Sequence, residues 1–209
     1  MKKNRLIIVE DDEKWVMAMK LFLELEPDLE IVAIASNYNE AIEIGISKDA
    51  DVILMDINLS GNDLDGIYAT AEILSHKEIK VIMLTSICDR EVIQNAYVAG
   101  AVNYVMKNNY KEIPSIIRNT ILNVTPNEVL AKDYMKLKTK ELLSPLTSQE
   151  REIFNLFSNG KNKKDIQNSL FISESTLKNH VHNIIHKLNV NSIQQAIDKV
   201  KRKGFIKEL

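Results

Sequence analysis

Val52-Ile53-Leu54-Met55-Asp56 is four apolar residues closed by an acid. Four apolar side chains in a row, with no polar alternation, suit a strand covered on both faces. The same kind of run returns at Leu6–Val9, Ile31–Ala35, Val81–Leu84 and Val102–Val105. Between the runs lie helix-length segments with a 3.6-residue apolar period, at about 13–25, 39–47, 65–75, 90–99 and 110–123, and Pro27 stops the first. Five strands alternating with five helices predict an α/β doubly wound, five-stranded parallel sheet. Such sheets bind ligands at the carboxyl ends of their strands, near a topological switch point.

The pattern changes after Asn123. Residues 124–145 read as a helical linker carrying Lys132, Lys136, Lys138 and Lys140 between Pro126 and Pro145. Residues 146–209 hold no strand signal. Thr147 with Glu150 reads as a capping box opening a helix to about Ser158, and Asn159-Gly160 ends it. A short helix follows at about 162–169, and Ser173 caps a longer one striped by Leu177, Val181, Ile184, Ile185 and Leu188. A last helix starts at Asn191-Ser192. Four helices with a tight turn between the second and third predict a helix-turn-helix module.

Charge separates the same two regions. The 209 residues carry a formal net charge of −2. Residues 1–123 hold 12 Lys+Arg and 20 Asp+Glu, and residues 124–209 hold 15 and 9. A near-neutral total thus conceals an acidic half and a basic half. The single cysteine, Cys88, excludes an internal disulfide framework and, with no CxxC pair, a zinc ribbon. Four apolar residues after Arg5 are too few for a signal peptide, and no apolar stretch approaches the ~20 residues of a membrane span. A cytoplasmic protein without a membrane partner is the expectation.

Acids fall where the predicted sheet would place a site. Glu10, Asp11 and Asp12 follow the first strand, Asp56 the third, Thr85-Ser86 the fourth and Lys107 the fifth. Three carboxylates in one crevice repel one another unless a cation sits among them, and an all-oxygen set suits Mg²⁺. A lysine and a hydroxyl on the opposite rim fit a bound phosphoryl group. A carboxylate is itself a competent nucleophile, forming an aspartyl phosphate.

Several stretches carry a family resemblance. Val9-Glu10-Asp11-Asp12, Leu54-Met55-Asp56-Ile57-Asn58-Leu59, Asp65-Gly66, Leu84-Thr85-Ser86 and Gly100-Ala101-Val102-Asn103-Tyr104-Val105-Met106-Lys107 resemble the CheY-like receiver domain of bacterial response regulators. The resemblance implies that a histidine kinase phosphorylates Asp56. It also implies that Glu10, Asp11, Asp56 and the Asn58 backbone carbonyl bind Mg²⁺, and that Thr85 and Lys107 contact the phosphoryl group. Tyr104 matches the aromatic that moves with the threonine in the switch, while Asp12, one position past the acidic pair, is assigned a capping role. Two departures stand out: Asp65-Gly66 lies about two residues further from Asp56 than is common, and Ser60 replaces a common proline.

The basic half has its own match. Leu146–Glu152, Gly160–Ile166, Ile172–Val181 and Lys187–Val190 resemble the LuxR-type module, which with the receiver resembles the NarL/FixJ family. The implied partner is double-stranded promoter DNA, bound by a homodimer formed on activation. Lys178, Asn179 and His182 lie off the apolar stripe, at positions that face the major groove in the family. Lys163, Thr176 and Lys187 are the expected phosphate contacts. Ile193 stands where the family often has arginine. His182 and His186 share zinc-ligand spacing, but no third ligand is near in sequence. The expected activity is phosphorylation-dependent transcription control, with self-dephosphorylation but no metabolic turnover. Two rivals use the same residues, a phosphate-independent DNA-binding regulator and an aspartyl phosphohydrolase. Asn58 disfavours the second, since such hydrolases usually carry an Asp two residues after the nucleophile.

Overall fold

The computed structural model describes residues 3–59, 64–86 and 88–205. The chain divides into two compact units, and the division falls between Met135 and Lys136.

The first unit is a five-stranded parallel sheet of β1 (Asn4–Val9), β2 (Leu29–Ala35), β3 (Val52–Asp56), β4 (Lys80–Thr85) and β5 (Asn103–Met106), in the order β2-β1-β3-β4-β5. The connecting helices are α1 (Glu13–Glu24), α2 (Tyr38–Ser47), α3 (Asp65–His76), α4 (Arg90–Ala99) and α5 (Ile113–Leu122). Strand side chains alternate between the faces. Leu6, Ile8, Val52, Leu54, Ile82, Leu84 and Val105 form one core with Met19 and Leu23 of α1 and Ile113 and Ile117 of α5. The intervening Ile7, Ile53, Val81 and Met83 are equally buried, so both faces are dry and the unbroken apolar runs are explained.

Helix starts follow local chemistry. Asp12, Asn37 and Asp89 each accept backbone N–H groups at the heads of α1, α2 and α4. The head of α3 lacks a side-chain cap. There the Gly66 N–H donates to the Ile57 carbonyl at 2.8 Å. A Cβ on Gly66 would lie 1.8 Å from the backbone oxygen of Asp56, so only glycine permits this approach. The fifth helix differs from expectation. Residues Lys107–Glu112 form a 3-10 segment and α5 begins only at Ile113, with Pro114 in its first turn. Proline lacks an N–H and fits a helix start, so it fixes the boundary. Ser60 and the loop lengthening before Asp65 fall at 60–63, outside the described residues.

The linker region is helical, as α6 (Pro126–Leu142). Its N-terminal part belongs to the first unit. Glu128 is buried there and binds Lys80 Nζ at 3.2 Å and Lys132 Nζ at 2.8 Å.

The second unit holds α7 (Ser148–Ser158), α8 (Lys163–Leu170), α9 (Glu174–Lys187) and α10 (Ile193–Lys201). Its core joins Leu146, Ile153, Phe154, Ile166, Leu177, Ile184, Leu188, Ala196, Ile197 and Val200. The capping box is present, with the Thr147 N–H on Glu150 Oε2 at 2.8 Å and the Glu150 N–H on Thr147 Oγ1 at 3.3 Å. Phe171 ends α8 in the left-handed region and Ser173 caps α9, so α8 and α9 are joined by the short turn expected of a helix-turn-helix.

Candidate functional site

Strand register brings the site together. Val9 pairs with Met55, so Glu10 comes beside Asp56. Asp56 pairs with Leu84, one residue before Thr85, and Thr85 pairs with Met106, one residue before Lys107. Pairing alone therefore draws Glu10, Asp56, Thr85 and Lys107 to the carboxyl edge of the sheet. β1 and β3 flank the point where strand order reverses, which is the switch point of this fold.

The side chains form a compact charged cluster. Lys107 Nζ donates to Asp56 Oδ2 at 2.9 Å and lies 2.6 Å from Glu10 Oε2. Lys107 thus pairs with both carboxylates, and Glu10 Oε2 is a buried atom. Asp56 Oδ1 accepts the Ile57 N–H at 2.7 Å. Glu10, Asp56 and Thr85 are buried, and Asp11 is exposed at the rim. The Lys107 ammonium also lies 5.1 Å from the centre of the Trp15 ring.

Burial dominates the electrostatics. It pushes the Glu10 carboxyl up to about 7, aided by repulsion from Asp56 and opposed by the Lys107 hydrogen bond. Asp56 is raised too, again by burial, with Lys107 and the Ile57 N–H pulling the other way. Burial disfavours the Lys107 ammonium, but Glu10 and Asp56 together carry its pKa above the ordinary value. Tyr104 is pushed up to about 12 by burial and by Cys88, Asp89 and Asp56, so it remains a neutral phenol at physiological pH.

Oxygen atoms of Glu10, Asp11 and Asp56 lie within 4.8 Å of one another. Hard carboxylate oxygens suit Mg²⁺, and here two buried carboxylates, Glu10 and Asp56, share the Lys107 ammonium beside Asp11 at the rim. The donor set therefore fits the metal.

The chain matches two family models. One is the response regulator receiver domain, over residues 6–118, and the other is the bacterial regulatory proteins of the luxR family, over residues 144–200. The chain belongs to the NarL/FixJ family of response regulators. Among its relatives, the transcriptional regulatory protein LiaR of Bacillus subtilis is 35% identical over 200 residues, covering 92% of this chain and 94% of LiaR. The response regulator protein VraR of Staphylococcus aureus is 33% identical, covering 92% and 94%. The response regulator domain of Thermotoga maritima CheB superposes with a TM-score of 0.54 at 28% identity, covering 60% of this chain and 100% of that domain. As a NarL/FixJ response regulator, the chain couples a receiver to a LuxR-type DNA-binding domain for transcription control in a two-component system.

In the LuxR-type unit, Lys178, Asn179 and His182 share an exposed face of α9, and Lys163 is exposed at the head of α8. Thr176 is half-buried and bonded to Ser173 at 2.8 Å. Lys187, expected on DNA phosphate, places its ammonium on buried Glu150 at 2.6 Å. Ile193 packs against the unit's core, so that position offers no cation. His180 is half-buried with Nδ1 unpartnered, whereas His182 and His186 are exposed. Sequence reading missed the Trp15–Lys107 and Glu150–Lys187 contacts. The first had a signal, because Trp15 stands in the first turn of a helix starting at the carboxyl edge of the sheet. The second links residues 37 positions apart and had none.

Proposed function

We propose that Asp56 accepts a phosphoryl group from a histidine kinase and that this controls promoter binding by the α8–α9 module. The observation that carries the reading is the convergence of Asp56, Glu10, Lys107 and Thr85 at the switch point of the sheet. A carboxylate oxygen of Asp56 attacks phosphorus, the P–N bond to the kinase histidine breaks, and the leaving imidazole keeps the electron pair and takes a proton from solvent. Bound Mg²⁺ would be held by Glu10, Asp11, Asp56 and the Asn58 carbonyl, and would supply neutralisation of phosphoryl charge. Lys107 already touches Asp56, so a short movement puts its ammonium on a phosphoryl oxygen. Thr85 donates its hydroxyl proton from the end of β4. Drawing Thr85 inward gives buried space to Tyr104, and the α4–β5–α5 surface changes with it.

On the DNA side, Lys178, Asn179 and His182 read base edges, with Lys163 and Thr176 on phosphates. Two copies pair on activation and bind two half-sites. The protein works in the cytoplasm, alongside its kinase and promoters. Among the described residues no helix is long and apolar enough to cross a membrane.

The test is incubation of the full chain with acetyl phosphate and Mg²⁺, followed by intact mass, sizing and DNA footprinting. One phosphoryl group on the wild type and none on Asp56→Ala is expected, with tighter footprints only in the former. Equal footprints for the two proteins, with and without donor, would show that DNA binding ignores phosphate.

A further inference from the structure

We infer that Trp15 is a positioning residue for the phosphorylation site, its indole face holding the Lys107 ammonium over Asp56. The inference rests on the phosphoacceptor reading of Asp56 and extends it to a residue outside the acidic set. Lys107 is enclosed on three sides, by Glu10 at 2.6 Å, by Asp56 at 2.9 Å and by the Trp15 ring at 5.1 Å. Its side chain is 17% exposed, so the ring replaces water on the third side. An ammonium over an indole face is attracted by the ring's negative quadrupole, most strongly where water is excluded.

The ring itself is fixed. Asp12 Oδ1 accepts the Lys14 and Trp15 N–H groups at 2.9 and 3.2 Å, which locks the first turn of α1. The half-buried indole packs against the core that contains Leu6, Leu54 and Val105. Alternation along the strands adds a geometric reason. Glu10 continues the row of Leu6 and Ile8, Asp56 that of Val52 and Leu54, and Lys107 that of Val105, and all these rows face α1 and α5. Trp15 is therefore the α1 side chain that closes the site on the side where lysine sits. A four-carbon lysine stem without such a wall samples many rotamers. With the wall, its ammonium stays within a short swing of the incoming phosphoryl group.

A filler role and a positioning role make different predictions. Leucine keeps apolar bulk and loses the π face, whereas phenylalanine keeps a π face. In the full chain, Trp15→Leu should slow Asp56 phosphorylation by acetyl phosphate and Mg²⁺ by about fivefold, and Trp15→Phe should stay within about twofold of wild type. The contact is read separately on the unphosphorylated protein. Trp15 is the one tryptophan, so its emission reports this site alone, and Lys107→Met should shift its intensity or maximum. Equal loss of rate in the leucine and phenylalanine variants, no loss in either, or unchanged emission in Lys107→Met would overturn the inference. If wild type takes up no phosphate, the phosphoacceptor reading falls, and the emission result still decides whether the lysine sits on the ring.

Discussion

Replacing Glu10 by glutamine removes a carboxylate that folding buries beside a second one. Burial moves the Glu10 pKa from 4.5 to about 7, and at about 1.4 kcal/mol per pKa unit the full effect is about 3 kcal/mol. The cleft opens to solvent at Asp11 and holds the Lys107 ammonium, so screening reduces the expected effect to about 2 kcal/mol. The sign follows from proton counts. Between pH 4.5 and about 7 the folded protein holds a proton on Glu10 that the unfolded chain has lost. Stability therefore falls as pH rises through that window, and the loss is complete above it. Glutamine cannot ionise, and Asp56 titrates in both proteins, so the difference between them reports Glu10 together with its repulsion of Asp56. Urea unfolding of the first unit, followed by Trp15 emission at pH 5 and pH 8 with a chelator present, gives the comparison. Wild type should lose about 2 kcal/mol more than Glu10→Gln between the two pH values. Mg²⁺ at ten times its Kd should then return about 1.4 kcal/mol to wild type at pH 8 and distinctly less to the variant. Parallel pH dependence of the two proteins would refute the claim that Glu10 is held ionised at the expense of folding. Equal Mg²⁺ effects would remove Glu10 from the ligand set.

Other substitutions probe other contacts. Gly66→Ala drives a methyl group against the Asp56 backbone oxygen and should destabilise the first unit by more than about 2 kcal/mol, read by the same unfolding assay. Lys187→Met removes the cation from the buried Glu150 carboxylate, which keeps the Thr147 N–H, and should lower the stability of the second unit by about 1–3 kcal/mol, read by circular dichroism. A loss confined to DNA affinity would instead make Lys187 a phosphate contact. Asn179→Ala should relax base preference at one operator position, whereas Lys163→Ala should weaken binding to all sequences and flatten its salt dependence, both read by titration at several salt concentrations.

The sheet was legible because buried parallel strands leave unbroken apolar runs, as at Val52–Met55, and helices between them leave a 3.6-residue period. The convergence of Glu10, Asp56, Thr85 and Lys107 was legible because they are polar at the ends of those runs, where burial otherwise excludes charge. Asp12 could be assigned as a cap from its place one residue beyond the acidic pair, and it accepts the N–H groups of Lys14 and Trp15. Helix 110–123 was placed too early because periodicity alone does not separate a 3-10 turn from the helix that follows, although Pro114 marked the true start. The Lys187 contact with Glu150 was not legible for a different reason. An exposed lysine on a basic helix looks like a phosphate contact until its distant acid is known, and Glu150 was already accounted for as half of a capping box.

The charge split acquires a physical meaning from these contacts. In the first unit, two buried carboxylates share one ammonium, so the site in its resting form is short of positive charge. A phosphoryl group adds further negative charge to a site that cannot hold it without help. Lys107 cannot serve Glu10, Asp56 and a phosphoryl group equally. Glu10, which forms no covalent bond to the phosphoryl group, is the partner expected to turn to the metal. Phosphate and cation are thus expected to bind together, each raising the affinity for the other by the same factor. The acidity of the first half is the condition for that coupling. A site already neutral would take phosphate without needing Mg²⁺, and Lys107 would have no reason to move.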